Sequence, residues 1–152
     1  MKLRSRLIMT AAVMGVLAGL VPGGGAEGRA EPAPRESFAR LDPAAFEERM
    51  KNEPAMVINV HVPYEGELSG TDAFIPYDKI RDDPRLPEDK ATELLLYCRT
   101  GRMSEEAAVD LHEEGYTNIA HLEGGMKAWE ASGRQVIYNP KNAARQSTPH
   151  RM

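Results

Sequence analysis

Three short apolar runs stand out along the chain: "AMVINV" (55–60), "ELLLYC" (93–98) and "NIAHL" (118–122). Each has the length of a β-strand, and its apolar residues are nearly continuous rather than alternating with polar ones. Such runs are typical of strands that a parallel sheet buries on both faces. "SFARL" (37–41) is a shorter strand candidate, "IPYDKI" (75–80) a weak strand and turn, and "RQVIYNP" (134–140) an additional edge strand.

Helices are predicted between these strands. "DPAAFEERMKN" (42–52) begins with Asp42 as the N-cap and Pro43 at the first helical position. "SEEAAVDLHEEG" (104–115) has Ser104 as its predicted N-cap, and "GGMKAWEASG" (124–133) is a second, shorter helix. Because strands and helices alternate, the sequence predicts an α/β domain with a mainly parallel sheet.

The amino-terminal segment has a different character. Lys2, Arg4 and Arg6 precede an uncharged run at residues 7–21, and small residues follow it. This order is typical of a secretory signal peptide. The run would span roughly 22 Å as a helix, short of the roughly 30 Å hydrocarbon core of a bilayer. Cleavage after Ala26 or Ala30 would fit the small-residue rule.

The predicted organisation is therefore a signal peptide at 1–26, a linker at 27–36, one α/β domain at 37–138 and a disordered tail at 139–152. A bacterial periplasmic location follows as an expectation, and an uncleaved membrane anchor at the N-terminus is the alternative. Removing residues 1–26 leaves 16 basic and 23 acidic residues, a formal charge of −7. That charge argues against binding nucleic acid, and against membrane association once the signal is removed.

Cys98 is the only cysteine in the sequence. It is therefore either an inert buried thiol or a reactive one. In a parallel sheet, ligands bind beyond the carboxyl ends of the strands, which is where Cys98 is placed. Backbone N–H groups at the start of the next helix, together with Arg99 and Arg102, should favour the thiolate. Gly101 permits the tight turn that converging N–H groups need.

The segment "CRTGRMS", followed by "GYTNIAHLEGGMKAWEASG", resembles the rhodanese (sulfurtransferase) domain. The family phrase G-[FY]-x-x-[VI]-x-x-L-x-G-G-x-x-x-W is matched from Gly115 to Trp129. "VINVHVPYEGELSGTDAFIPYD" is similar to the family's D-V-R…G-H-I-P-G-A…I-P stretch, and the resemblance covers about residues 37–136. Three departures are visible: Asn59 replaces the usual aspartate, His61 a common arginine, and Glu67 a histidine.

The resemblance implies a rhodanese-like fold and transfer of sulfane sulfur. The Cys98 thiolate would attack the outer sulfur of a small anionic donor such as thiosulfate, and an external thiol or other thiophilic acceptor would remove that sulfur from the persulfide. No cofactor and no metal are implied. The substrate-binding residues would be His61 and the loop residues Arg99, Thr100, Gly101, Arg102, Met103 and Ser104.

Two other functions share parts of this pattern. A cysteine phosphatase or arsenate reductase has five residues between cysteine and arginine, but that spacing reaches Ser104 here, and the second arginine is at position 102. A carrier that holds a persulfide for a partner without turnover would use the same residues as the enzyme. His61, His112, His121 and His150 show no metal-ligand spacing.

Overall fold

The computed structural model describes residues 38–52 and 54–147, and its core is a five-stranded sheet. The strands lie in the order β1-β5-β4-β2-β3, and neighbouring strands are parallel. This confirms the predicted α/β fold with a parallel sheet. The strands are β1 (Ala39–Leu41), β2 (Met56–Asn59), β3 (Ala73–Phe74), β4 (Leu94–Tyr97) and β5 (Ile119–Leu122).

Helices cover the two faces of this sheet. Asp42 caps the first helix as predicted, because its carboxylate accepts a hydrogen bond of 2.9 Å from the backbone N–H of Ala45. The described helices are α1 (Pro43–Arg49), α2 (Arg102–Glu113), α3 (Gly125–Ala131) and α4 (Pro140–Ser147), with a 3-10 helix at Tyr77–Lys79.

The sheet is buried on both faces, as the continuous apolar runs predict. Leu94 and Leu96 of β4 point to one face, where they pack with Leu111 of α2. Leu95 and Tyr97 point to the opposite face, which Phe46 of α1 and two residues of α3, Met126 and Trp129, cover. Trp129 is therefore a core residue. Alternating side chains of one strand thus stabilise two separate core clusters.

The strand register brings the residues after β2, β4 and β5 to one edge of the sheet. Asn59 lies beside Tyr97, and Leu96 lies beside His121. The N–H of Val60 continues the ladder by donating to the carbonyl of Tyr97 at 2.9 Å. Cys98, the first residue after β4, is consequently at the carboxyl edge, where parallel sheets bind their ligands.

Two local predictions need correction. The segment 75–80 forms a 3-10 helix at Tyr77–Lys79 rather than a strand, and the short strand β3 lies just before it in a stretch that resembles a loop. Residues 134–140 do not form an edge strand, since they make only one isolated antiparallel bridge, between Glu67 and Ile137. Pro140 then has no N–H for a ladder and begins a helix instead.

The predicted disordered tail begins too early, because Pro140–Ser147 form α4. The side chain of Asn139 accepts from the N–H of Lys141 at 3.1 Å, as a helix cap does. Its backbone N–H donates to the hydroxyl of Tyr64 at 2.9 Å, so the start of α4 is fixed to a distant loop.

The predicted signal peptide (1–26), the predicted linker (27–36) and residues 148–152 lie outside the described residues. Within the part of the chain that is described, no helix combines the length and apolar character needed to cross a bilayer.

Candidate active site

Cys98 lies at the end of β4 and directly before α2. The residue is almost completely buried, with 1% of its surface exposed. The backbone N–H of Gly101 donates to its sulfur at 3.0 Å. A donor pointing at the sulfur stabilises the thiolate relative to the thiol. The loop 98–101 therefore provides part of the cradle of N–H groups that the sequence predicts.

Helix α2 begins two residues earlier than predicted, and Ser104 is not its N-cap. Gly101 holds that position in the left-handed region, at φ +99°, so the chain enters the helix at Arg102. Ser104 falls in the first turn and is fully buried. Its hydroxyl donates to the carbonyl of Gly101 at 2.9 Å and lies 3.7 Å from the sulfur of Cys98. The serine is thus a neighbour of the cysteine sulfur.

The start of α3 supports the cysteine loop from behind. The N–H of Met126 donates to the carbonyl of Cys98 at 2.9 Å, and the N–H of Lys127 donates to the carbonyl of Arg99 at 3.1 Å. A side-chain carbon added at Gly125 would lie only 2.4 Å from the Cys98 carbonyl oxygen. This close approach explains the glycine of the family phrase at the first position of α3, because two backbones are in direct contact there.

Both arginines of the loop are paired with carboxylates of nearby helices. Arg99 lies 3.1 Å from Glu130 of α3 and is 29% exposed, while Arg102 lies 2.7 Å from Glu106 of α2 and is 66% exposed. In these ion pairs the guanidinium groups contact carboxylates and not the sulfur of Cys98. Either group could still bind an anion that reaches the sulfur. Their role as donor ligands stays a prediction.

The other two loop residues lie in different surroundings. Thr100 is exposed. Met103 is half-buried and packs against the core cluster that includes Cys98. The structure therefore gives Met103 a packing contact, and its predicted contact with a substrate is untested.

His61 follows β2 at the same edge of the sheet and is buried. Its Nε2 atom contacts the carboxylate of Glu65, and its Nδ1 atom has no hydrogen-bond partner among the described residues. Asn59 organises this loop: its side-chain oxygen accepts from the N–H of His61 at 2.9 Å, and its amide nitrogen donates to the carbonyl of Gly66 at 3.0 Å. Because β2 and β4 are neighbouring strands, His61 leaves the same edge of the sheet as the cysteine loop, and its binding role stays a prediction.

A polar cluster beside this loop was not predicted. The buried carboxylate of Glu67 accepts from the hydroxyl of Tyr64 at 2.5 Å and from the amide of Asn142 in α4 at 2.8 Å. Burial, followed by the hydrogen bond to Glu67, raises the pKa of Tyr64 to about 12. Glu67 occupies the position of the family histidine, so this departure serves to attach α4 to the loop.

His121 of β5 was expected only to lie in a strand. It is buried, and its Nδ1 atom lies 3.1 Å from the hydroxyl of Ser104. The alternation of the strands could have indicated this position. Leu94, Leu96 and Cys98 share one face, and His121 is in register with Leu96. Its side chain therefore faces α2, where Ser104 lies.

Residues 38–52 and 54–147 contain no group of three or more histidine, cysteine, aspartate or glutamate side chains that could hold a metal ion.

A comparison with protein families agrees with this geometry. The family model for the rhodanese-like domain matches residues 43–132, which include β2 to β5 and helices α1 to α3. The chain belongs to the rhodanese-like family. The predicted resemblance to the rhodanese family is thereby confirmed.

Two relatives with curated names are longer chains of which this one matches a part. A probable adenylyltransferase/sulfurtransferase of Mycobacterium tuberculosis is 33% identical over 78 residues, which are 48% of this chain and 19% of that protein. A tRNA uridine(34) hydroxylase of Erwinia tasmaniensis is 29% identical over 113 residues, which are 66% of this chain and 32% of that protein. The chain thus spans a third or less of the length of these two relatives.

A rhodanese-related protein from Thermoplasma volcanium has a solved structure that superposes with a TM-score of 0.54. It is 25% identical, and the match covers 66% of this chain and 99% of that one. The match confirms the rhodanese-like fold. Family membership and the sulfurtransferase relative together support sulfur transfer as the broad class of function.

Proposed function

We propose that this rhodanese-like protein is a sulfurtransferase in which Cys98 carries sulfane sulfur as a persulfide. The observation that carries the proposal is the hydrogen bond of 3.0 Å from the N–H of Gly101 to the sulfur of Cys98, at the start of α2. The helix N-terminus and this donor both favour a negatively charged sulfur. A thiolate is the form that acts as a nucleophile.

The reaction has two half-reactions. In the first, the Cys98 thiolate attacks the outer sulfur of a donor such as thiosulfate; a new S–S bond forms, the old S–S bond breaks, and sulfite leaves with the electron pair. In the second, a thiophilic acceptor attacks the outer sulfur of the persulfide, and Cys98 leaves as the thiolate. Charge balances in both steps, so neither needs an oxidant or reductant.

The acceptor is an external molecule, since the sequence contains no second cysteine that could resolve the persulfide. A small anionic donor fits the N–H groups of the loop, and Arg99 and Arg102 are the nearest cations in sequence. Binding such an anion would compete with the carboxylates of Glu130 and Glu106, which now hold these guanidinium groups.

A persulfide carrier is the second function that one observation favours. Cys98 is only 1% exposed. Because so little of the sulfur is exposed, a persulfide there would react slowly with acceptors in solution and would be retained until a partner protein opened the loop. A carrier would load sulfur and keep it, and an enzyme would return Cys98 to its thiolate with a small acceptor.

One experiment addresses both functions. The protein is incubated with thiosulfate, and mass spectrometry measures added sulfur on the peptide that contains Cys98; cyanide is then added, and thiocyanate is measured over many turnovers. The enzyme predicts loading followed by repeated thiocyanate formation, and the carrier predicts loading with a single turnover at most. If Cys98 takes up no sulfur from thiosulfate or polysulfide, both proposals are wrong. Cys98→Ser is the matched control.

We also propose export to the bacterial periplasm, from the basic and apolar order of residues 1–26. Cell fractionation of the full chain and of a chain without residues 1–26 tests it. The full chain should be found in the periplasm, shortened at its N-terminus, and the truncated chain in the cytoplasm. Full-length protein retained in the membrane fraction would instead support the uncleaved anchor.

A further inference from the structure

The hydroxyl of Ser104 has three polar neighbours and only one hydrogen to give. The carbonyl oxygen of Gly101 lies at 2.9 Å, the Nδ1 atom of His121 at 3.1 Å and the sulfur of Cys98 at 3.7 Å. All four residues are buried, so water does not readily substitute for any of these contacts. The direction of each hydrogen bond is therefore determined by which groups can donate.

A carbonyl oxygen can only accept a hydrogen bond, so the contact at 2.9 Å requires the serine hydrogen to point at Gly101. The hydroxyl then has none left for His121, and the contact at 3.1 Å exists only if Nδ1 of His121 donates to the serine oxygen. The imidazole consequently carries its hydrogen on Nδ1. This hydrogen bond holds the serine oxygen in a fixed position beside the sulfur.

The carbonyl of Gly101 does not depend on the serine. It also accepts the backbone N–H of Glu105 at 3.0 Å. The serine hydrogen can therefore leave this carbonyl without creating a buried acceptor that lacks a partner, a situation that is costly in a protein interior. A negatively charged sulfur is a stronger acceptor than a carbonyl that is already hydrogen-bonded.

We propose that His121 is a positioning residue for the sulfur of Cys98 and that it acts through Ser104. By donating from Nδ1, it holds the serine oxygen and leaves the single serine hydrogen free to turn from Gly101 to the sulfur when the sulfur carries negative charge. The inference rests on the proposed function, because sulfur transfer is what requires a charged sulfur at Cys98.

Alkylation of Cys98 by iodoacetamide, at a fixed pH near neutrality, measures the reactivity of the sulfur without any sulfur donor. His121→Leu should lower the alkylation rate about threefold to tenfold, as should Ser104→Ala, since each removes a hydrogen bond that serves a charged group. His121→Asn should stay within about twofold of the wild type, because its amide can donate in place of Nδ1.

A double-mutant cycle distinguishes action through Ser104 from a general disturbance. In the Ser104→Ala background, His121→Leu should cause no further fall in rate. His112→Leu, at the exposed end of α2, is the matched control and should leave the rate unchanged. An equal fall with and without Ser104, or an asparagine variant as slow as the leucine variant, would overturn the proposal.

Nitrogen-15 chemical shifts of the imidazole give a test in the wild type that needs no variant to fold. They should show the hydrogen of His121 on Nδ1, and a bare Nδ1 would refute the inference. Because neither alkylation nor the imidazole shifts require a sulfur donor, these results stand apart from the thiocyanate assay. The arrangement could therefore prove correct even if Cys98 transferred no sulfur.

Discussion

Replacing Gly125 with alanine should damage the cysteine loop from behind, without touching a side chain of the site. The new methyl carbon would lie 2.4 Å from the carbonyl oxygen of Cys98, 2.6 Å from the carbonyl carbon of Arg99 and 2.7 Å from the nitrogen of Thr100. All three atoms belong to the backbone, so the steric clash can be removed only if the loop or the start of α3 moves.

The expected cost has two parts. Alanine at the φ of +59° that Gly125 adopts costs about 1–2 kcal/mol. Forcing an extra methyl group into a packed region costs about 1–3 kcal/mol more. A total of about 2–5 kcal/mol in the free energy of unfolding corresponds to a fall in Tm of roughly 8–25 °C for a domain of this size.

Gly133 provides the matched control. It follows the C-cap of α3 at a φ of +84°, and nothing lies within 4 Å of the position that a side-chain carbon would take. Gly133→Ala should therefore show only the backbone strain, about 1–2 kcal/mol, with Cys98 alkylation and sulfur loading unchanged.

Thermal unfolding and iodoacetamide alkylation are measured for both variants, at temperatures where each is folded. Gly125→Ala should be the less stable one and should also react more slowly at Cys98, because the N–H of Gly101 is displaced from the sulfur. Equal stability and equal reactivity in the two variants would refute the idea that contact between the backbones fixes the loop.

Three further predictions concern individual side chains. Cys98→Ser should retain the fold and lose at least about nine tenths of the thiocyanate-forming activity, since a serine hydroxyl is a poor nucleophile near neutrality; substantial residual activity would contradict the mechanism. Arg99→Ala should raise the KM for thiosulfate by up to about fivefold, because exposed ion pairs contribute under about 1 kcal/mol. Arg102→Ala should raise it by less, since Arg102 is the more exposed residue. Unchanged KM values in steady-state kinetics would favour an uncharged donor. The pKa of Tyr64 is raised from 10.0 to about 12 in the folded protein. Its contribution to the free energy of unfolding is therefore fully present below pH 10 and is lost as the pH rises toward 12. Tyr64→Phe should be less stable at neutral pH and should lose less further stability over that alkaline range, as measured by chemical denaturation.

Much of the fold could be predicted because its signals are local. The apolar runs of β2, β4 and β5 and the Asp42 cap of α1 each lie within a few adjacent residues. The strand β3 and the helix α4 depend on distant partners. Ala73 pairs with Ile58, and Asn142 of α4 bonds to a carboxylate 75 positions earlier in the chain. No short window of sequence contains such information.

The site was predicted to a similar extent. A lone cysteine between an apolar strand and a helix indicated Cys98 as the candidate reactive residue, and the family phrase indicated the glycines that pack against its loop. The helix start was misplaced because serine is a common cap, whereas here Gly101 at positive φ fills that position and turns Ser104 toward the sulfur. His121 was missed because its significance depends on which face of β5 it occupies, and that requires the strand register.

The amide of Asn59 has a consequence for behaviour in acid. It donates a hydrogen bond to the carbonyl of Gly66 and accepts one from the N–H of His61. An aspartate, which the family usually has there, could donate to that carbonyl only after taking up a proton. Asparagine keeps both bonds at any acidity, so the inner support of this loop does not titrate. Acid should therefore leave the backbone path from Asn59 to Gly66 in place.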